Sequence, residues 1–145
     1  MNTYVKEITE FSQILMQEMK KFAPNKTNLG NKHGITGVQL LSLRFVNHNN
    51  NCKTSDIADF LNVTPSDATR IIDILANKEL IQRLNDEKDR RIIRIILTEK
   101  GKKIFKEINK EQIKKFSNIL EKMEKKDAET LLRGMKAFSK AIQEK

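Results

Sequence analysis

The sequence has a single cysteine and lacks any run of about 18 apolar residues long enough to span a bilayer. The lone Cys52 excludes an intrachain disulfide, which fits a reducing compartment. Nothing at the front of the chain resembles a signal peptide, so a cytoplasmic location with no membrane partner is expected. The N-x-T sequons at Asn25 and Asn62 are then chance matches. No G-x-G-x-x-G, P-loop, G-x-S-x-G or H-E-x-x-H pattern occurs, and the many carboxylates lie in mixed-charge surface stretches. An enzyme is not expected. His48 and Cys52 stand four apart, with His33 in the preceding loop. Zinc needs about four ligands, and the polar run Asn47 to Asn51 ends the helix too soon to join them. Neither a metal nor another cofactor is expected. Only Lys53 stands near Cys52 to lower its pKa, so an inert thiol is the default. Internal repeats and low-complexity linkers are also missing.

The length of 145 residues suits one domain, or one domain with helical extensions. Its 28 basic and 19 acidic side chains leave a net charge of +9, which suggests a polyanionic partner. Distribution weakens that inference. Residues 1–52 carry 6 basic and 3 acidic groups, residues 53–100 carry 9 of each, and residues 101–145 carry 13 and 7. The segment with the clearest motif is therefore neutral, and its charges must be judged by placement.

That segment is Thr64 to Leu97. Thr64 suits an N-cap, Pro65 the first helical position, and Asp67 the positive end of the helix dipole. A helix is predicted from Pro65 to about Lys78. Ala68, Ile71, Ile72 and Leu75 form its apolar stripe, and Ser66, Thr69, Arg70 and Asp73 lie opposite. Hydroxyls, a guanidinium and a carboxylate on one face are groups that can read base edges in a major groove. Upstream, Thr36 and Gln39 make a capping-box pair for a helix reaching Asn47. A short helix from about Thr54 to Leu61 follows, with Ile57, Ala58 and Leu61 inward. Only Asn62 and Val63 separate it from Thr64, which is helix-turn-helix spacing.

Downstream, Leu80–Leu84 and Arg91–Leu97 read as two strands around the charged tip Asn85–Arg91. Ile93, Ile95 and Leu97 are predicted to point one way, and Ile92, Arg94 and Ile96 the other. A long helix runs from Thr98 to about Met123, and a last one from Asp127 to Gln143. The first helix, residues 3–22, carries Ile8, Phe11, Leu15, Met19 and Phe22 as a stripe. The last carries Ala128, Leu131, Met135, Phe138 and Ile142. These stripes fit a core, an effector pocket or a seam with a second subunit. The expected fold class is mainly α with a small β-hairpin, ordered α-α-α-α-β-β-α-α. A winged helix-turn-helix domain spans residues 36–100, with N- and C-terminal dimerisation helices at 1–30 and 101–145.

The sequence resembles the MarR family of winged-helix transcriptional regulators. The likeness is carried by IADFLNVTPSDATRIIDIL, by Leu75-x4-Leu80-Ile81-x-Arg83, and by DEKDRRIIRIILTEKG, where D-x-R precedes L-T-E-x-G. It implies a homodimer with interlocked terminal helices that binds a pseudopalindromic double-stranded DNA operator and represses. Many members release DNA when a small ligand or oxidant acts. Peroxide-sensing members carry a reactive cysteine in the first helix, and this first helix has none. By resemblance the wing pair falls on Asp89 and Arg91, the arginine entering the minor groove and the aspartate holding it. Lys88 and Arg90 flank them. The recognition positions fall on Ser66, Asp67, Thr69, Arg70 and the neighbouring Pro65 and Asp73. Phosphate contacts are expected near helix starts, at Thr36, Lys53, Thr54 and Thr64. Phe11, Leu15, Met19, Leu131, Met135 and Phe138 are the expected dimerisation residues, with half-sites roughly 34 Å apart.

Simpler readings stand beside these. Arg91 also fits a solvated tip charge, Arg70 a surface ion pair with Asp67 or Asp73, and the whole winged helix a protein-interaction module.

Overall fold

The computed structural model describes residues 3–20 and 33–144. Among them run six helices and one hairpin: α1 (Thr3–Met19), α2 (Gly37–His48), α3 (Thr54–Leu61), α4 (Pro65–Asn77), β1 (Ile81–Asn85), β2 (Ile93–Leu97), α5 (Glu99–Leu120) and α6 (Lys125–Gln143). This is the expected order. Phe22 lies outside the described residues. The chain divides into two compact units, Met1–Glu111 and Gln112–Lys145.

Local chemistry sets the helix ends. Thr36 Oγ1 accepts the Gln39 N–H at 3.3 Å, and Gln39 Oε1 accepts the Thr36 N–H at 3.2 Å. That is the capping box the sequence suggested. Helix α3 stops at Asn62, whose left-handed φ of 52° turns the chain sharply. Asparagine tolerates that region better than most residues. Two residues later Thr64 Oγ1 accepts the Asp67 N–H at 3.1 Å and opens α4.

One apolar core occupies the first unit. Leu40, Leu43 and Val46 of α2 meet Ile57 of α3, Ile72 and Leu75 of α4, Ile81, Ile95 and Leu97 of the hairpin, and Ile104, Phe105 and Ile108 of α5. Each fully buried aliphatic side chain contributes roughly 1.5–3 kcal/mol of transfer free energy. Ile71 and Leu61, on the predicted inner stripes, are half-buried at the rim of this core.

The hairpin pairs Ile81 with Leu97 through to Asn85 with Ile93. Cys52 adds a third backbone partner, its carbonyl accepting the Ile95 N–H at 2.8 Å. The strands are shorter than predicted. Leu80 is outside β1 because its N–H closes onto the Leu75 carbonyl at 2.9 Å. Arg91 and Ile92 are outside β2 because the tip turns there, Ile92 N–H donating to Asp89 O at 2.9 Å. Ile93 shares a face of the ribbon with the buried Ile95 and Leu97, as predicted, yet is itself exposed. It pairs with Asn85 at the tip end, beyond the edge of the core.

In the second unit the long helix ends at Leu120 rather than Met123. The Lys122 and Met123 amides instead close three-residue turns onto Ile119 and Leu120. Helix α6 begins before Asp127 because Glu124 O accepts the Asp127 and Ala128 N–H groups. No residue of α6 is buried.

The residue leading into β1 is seated against α5 by a glycine. A Cβ added to Gly101 would run into the Leu80 carbonyl oxygen, which is backbone and cannot rotate away. Gly101→Ala is expected to destabilise the first unit by about 1–3 kcal/mol, read as a lowered midpoint in urea unfolding. An unchanged midpoint would show that the contact yields freely.

Candidate nucleic-acid interface

Helix α4 buries Ala68, Ile72 and Leu75, so its other face is turned to solvent. Ser66, Thr69, Arg70 and Asp73 are all exposed there, as the periodicity predicts. Thr69 Oγ1 donates to the Pro65 carbonyl at 2.9 Å, which leaves its lone pairs outward. Arg70 Nη2 donates to Asp67 Oδ1 at 3.3 Å, while Asp67 Oδ2 accepts the Thr64 hydroxyl at 2.8 Å. Of the two ion pairs weighed for Arg70, the one with Asp67 forms. Asp73 instead pairs with Arg83 of β1.

The wing tip carries three hydrogen bonds between one aspartate and one arginine. Asp89 receives Arg91 in a two-pronged grip, Nε to Oδ1 and Nη2 to Oδ2, both at 3.0 Å. The Arg91 backbone N–H adds a third bond to Oδ1 at 3.0 Å. These donors hold the Asp89 carboxyl below its usual 3.8, and the carboxylate raises the guanidinium in turn. The Arg91 side chain is 91% exposed, so it projects while its direction is set. Lys88 and Arg90 are also exposed beside it.

Two residues that build this tip were not singled out from sequence. Asp86 Oδ1 accepts the N–H groups of Lys88 at 2.9 Å and Asp89 at 3.1 Å. Its Oδ2 accepts Arg94 Nε at 2.8 Å, and Arg94 Nη1 donates on to the Asn51 carbonyl at 3.1 Å. The Arg94 guanidinium and both N–H groups push the Asp86 carboxyl below its ordinary 3.8. Two signals were present. An aspartate two and three residues ahead of a turn's amides is an Asx-turn pattern, and an arginine between two isoleucines on a strand needs a partner.

The expected phosphate-contact residues also find places. Thr36 and Thr64 are exposed N-caps. Lys53 and Thr54 are half-buried at the start of α3, where Lys53 N–H donates to Asp56 Oδ2 at 2.7 Å. Cys52 is 5% exposed, and burial, then the Asp56 charge, pushes its thiol up to about 11. At neutral pH it is a protonated core group, the inert thiol expected from sequence.

Phe11, Leu15 and Met19 of α1 are exposed. So are Leu131, Met135 and Phe138 of α6. No helix among the described residues is long and apolar enough to cross a membrane.

Comparison with known proteins bears on the fold that carries this face. Residues 35–93 match the MarR family. The HTH-type transcriptional repressor MdtR of Bacillus subtilis is 36% identical over 87 residues, 59% of this chain and 56% of that protein. The matched segment thus spans about half the length of that curated relative. A MarR-like transcriptional regulator from Thermotoga maritima superposes with a TM-score of 0.72 at 29% identity, over 100% of this chain and 99% of the other. A MarR family protein from Bacillus stearothermophilus has the same fold, with a TM-score of 0.87 at 19% identity and 99% coverage of each chain.

The tip's dependence on one carboxylate is open to test. Asp86→Ala is expected to shift the Lys88 and Asp89 amide resonances toward unstructured values while Ile72 stays put. In the unaltered chain, the carboxylate's contribution is complete above pH 3.8 and is lost as acid protonates it below that value. Tip resonances unmoved by the substitution would contradict this assignment.

Proposed function

We propose that this chain, a MarR-family protein through the winged helix at residues 35–93, is a homodimeric regulator that represses transcription by binding double-stranded DNA. The observation that carries the reading is the pairing of two exposed elements. A polar-faced α4 and a guanidinium held in a two-pronged grip at the wing tip project from one packed core.

Ser66, Thr69 and Arg70 are the groups of α4 that meet base edges in the major groove, with Pro65 setting the helix entry. Asp67 holds the Arg70 guanidinium until a guanine offers its two acceptors. Arg91 enters the neighbouring minor groove, where a narrow, negative channel favours a guanidinium, and Asp89 fixes its heading. Lys88 and Arg90 neutralise phosphates beside it. Thr36, Lys53, Thr54 and Thr64, grouped at helix starts, suit further phosphate contacts. The protein acts in the cytoplasm and performs no chemistry on its partner. Release by a small ligand fits the same scheme.

A dimer supplies the second half-site. Burying Phe11, Leu15 and Met19 with Leu131, Met135 and Phe138 of two chains would remove a row of large apolar groups from water. Two-fold symmetry then repeats the α4–wing pair along the duplex.

Arg91→Ala is expected to weaken binding to a duplex selected from a random pool, in a gel-shift titration, without splitting the dimer. Undiminished affinity removes the wing from the mechanism. Across added salt, affinity should fall steeply; flat salt dependence would favour the protein-interaction reading. Leu131→Asp or Met135→Asp should halve the mass seen by light scattering, and a mass still doubled would place the seam elsewhere.

A further inference from the structure

Asp73 is an awkward residue for a DNA-reading face, because a bare carboxylate there repels phosphate. The structure gives it a partner. Arg83 Nη2 donates to Asp73 Oδ1, linking the exposed face of α4 to β1 across ten positions. Both side chains remain partly in water, 37% exposed for Arg83 and 52% for Asp73. An exposed ion pair of this kind adds little to stability. What it does supply is a fixed location for a guanidinium.

That location follows from the register. Arg83 stands opposite Ile95, two residues after the buried Ile81, so it shares the core-facing side of the ribbon where the core runs out. Two residues further on, β1 ends at Asn85 and the tip begins. Arg83 therefore sits between the helix and the tip, bonded to the first and leading into the second.

We infer that Arg83 is a phosphate-contacting residue, held by Asp73 against the sugar–phosphate strand that separates the two grooves. The inference rests on the proposed function. A helix in a major groove and a ribbon tip in the adjoining minor groove must straddle one backbone strand. A cation anchored between them faces that strand. Guanidinium geometry suits the task, since one edge can serve the carboxylate while the remaining N–H groups fork onto a phosphate. Lysine offers no such division. Asp73 is then a positioning residue. It neutralises its own repulsion through Arg83 and touches no base.

The test is fluorescence anisotropy with a fluorescein-labelled duplex selected from a random pool by the unaltered protein, across about 50–200 mM salt. Arg83→Ala should reduce the slope of log affinity against log salt by about one, with the selected consensus unchanged. Arg83→Lys should keep the slope and still lose affinity, because charge remains while the fork is lost. Asp73→Asn should weaken binding alone, yet add nothing to Arg83→Ala in the double variant, because its effect passes through Arg83.

Thermal melts check that each variant folds, and Arg83→Gln carries the same readout if the alanine variant does not. An unchanged salt slope in a folded Arg83 variant overturns the inference. So does a changed base preference in Asp73→Asn that persists when Arg83 is also removed. If the unaltered chain selects no duplex, the proposed function falls. If it selects one, Arg91→Ala weakens it and the Arg83 slope is unmoved, the Arg83 assignment alone falls.

Discussion

Ile72 and Leu75 of α4 are buried in the same apolar cluster as Ile81, Ile95 and Leu97 of the hairpin. That shared core ties two exposed polar features to each other. A helix face and a ribbon tip can address neighbouring grooves only if their separation is constant, and an interior packed to crystal-like density keeps it so. The backbone reinforces the packing. Cys52 O holds the Ile95 N–H in the middle of β2, and Leu80 O holds the Thr98 N–H at 3.1 Å, which closes the base of the hairpin.

Beyond the core edge, packing gives way to charge. Asp86, Asp89 and Asp67 each hold an arginine, and each is itself tied to a local N–H or hydroxyl. Such pairing would let a segment with equal numbers of basic and acidic groups serve a polyanion, as proposed above. Asp86 works inside the tip and spends its charge on the turn. Asp89 sets the heading of a guanidinium that extends past it. Affinity would then come from the directions of a few cations, and net charge counts for less.

The legible parts of the sequence were those governed by short-range rules. Caps at Thr36 and Thr64, the apolar stripe of α4 and the two-residue turn at Asn62–Val63 depend on spacings of two to four residues. The unreadable parts involve partners far apart in the chain. Nothing near Asp73 points to Arg83, and nothing near Arg94 points to the Asn51 carbonyl 43 positions away. Ile93 shows the limit of alternation. Its parity matches Ile95 and Leu97, but parity cannot say where the core stops. Likewise the apolar stripes of α1 and α6 are plain in the sequence, but periodicity does not distinguish a buried stripe from the exposed ones found here.

The central claim is that two copies of this packed helix-and-ribbon unit meet one duplex at its own repeat. Selection of binding sites from a random-sequence pool addresses it most directly. The account requires an inverted repeat whose half-site centres are about 10 base pairs apart, one helical turn. A single asymmetric site, or no enrichment over the starting pool, would contradict it.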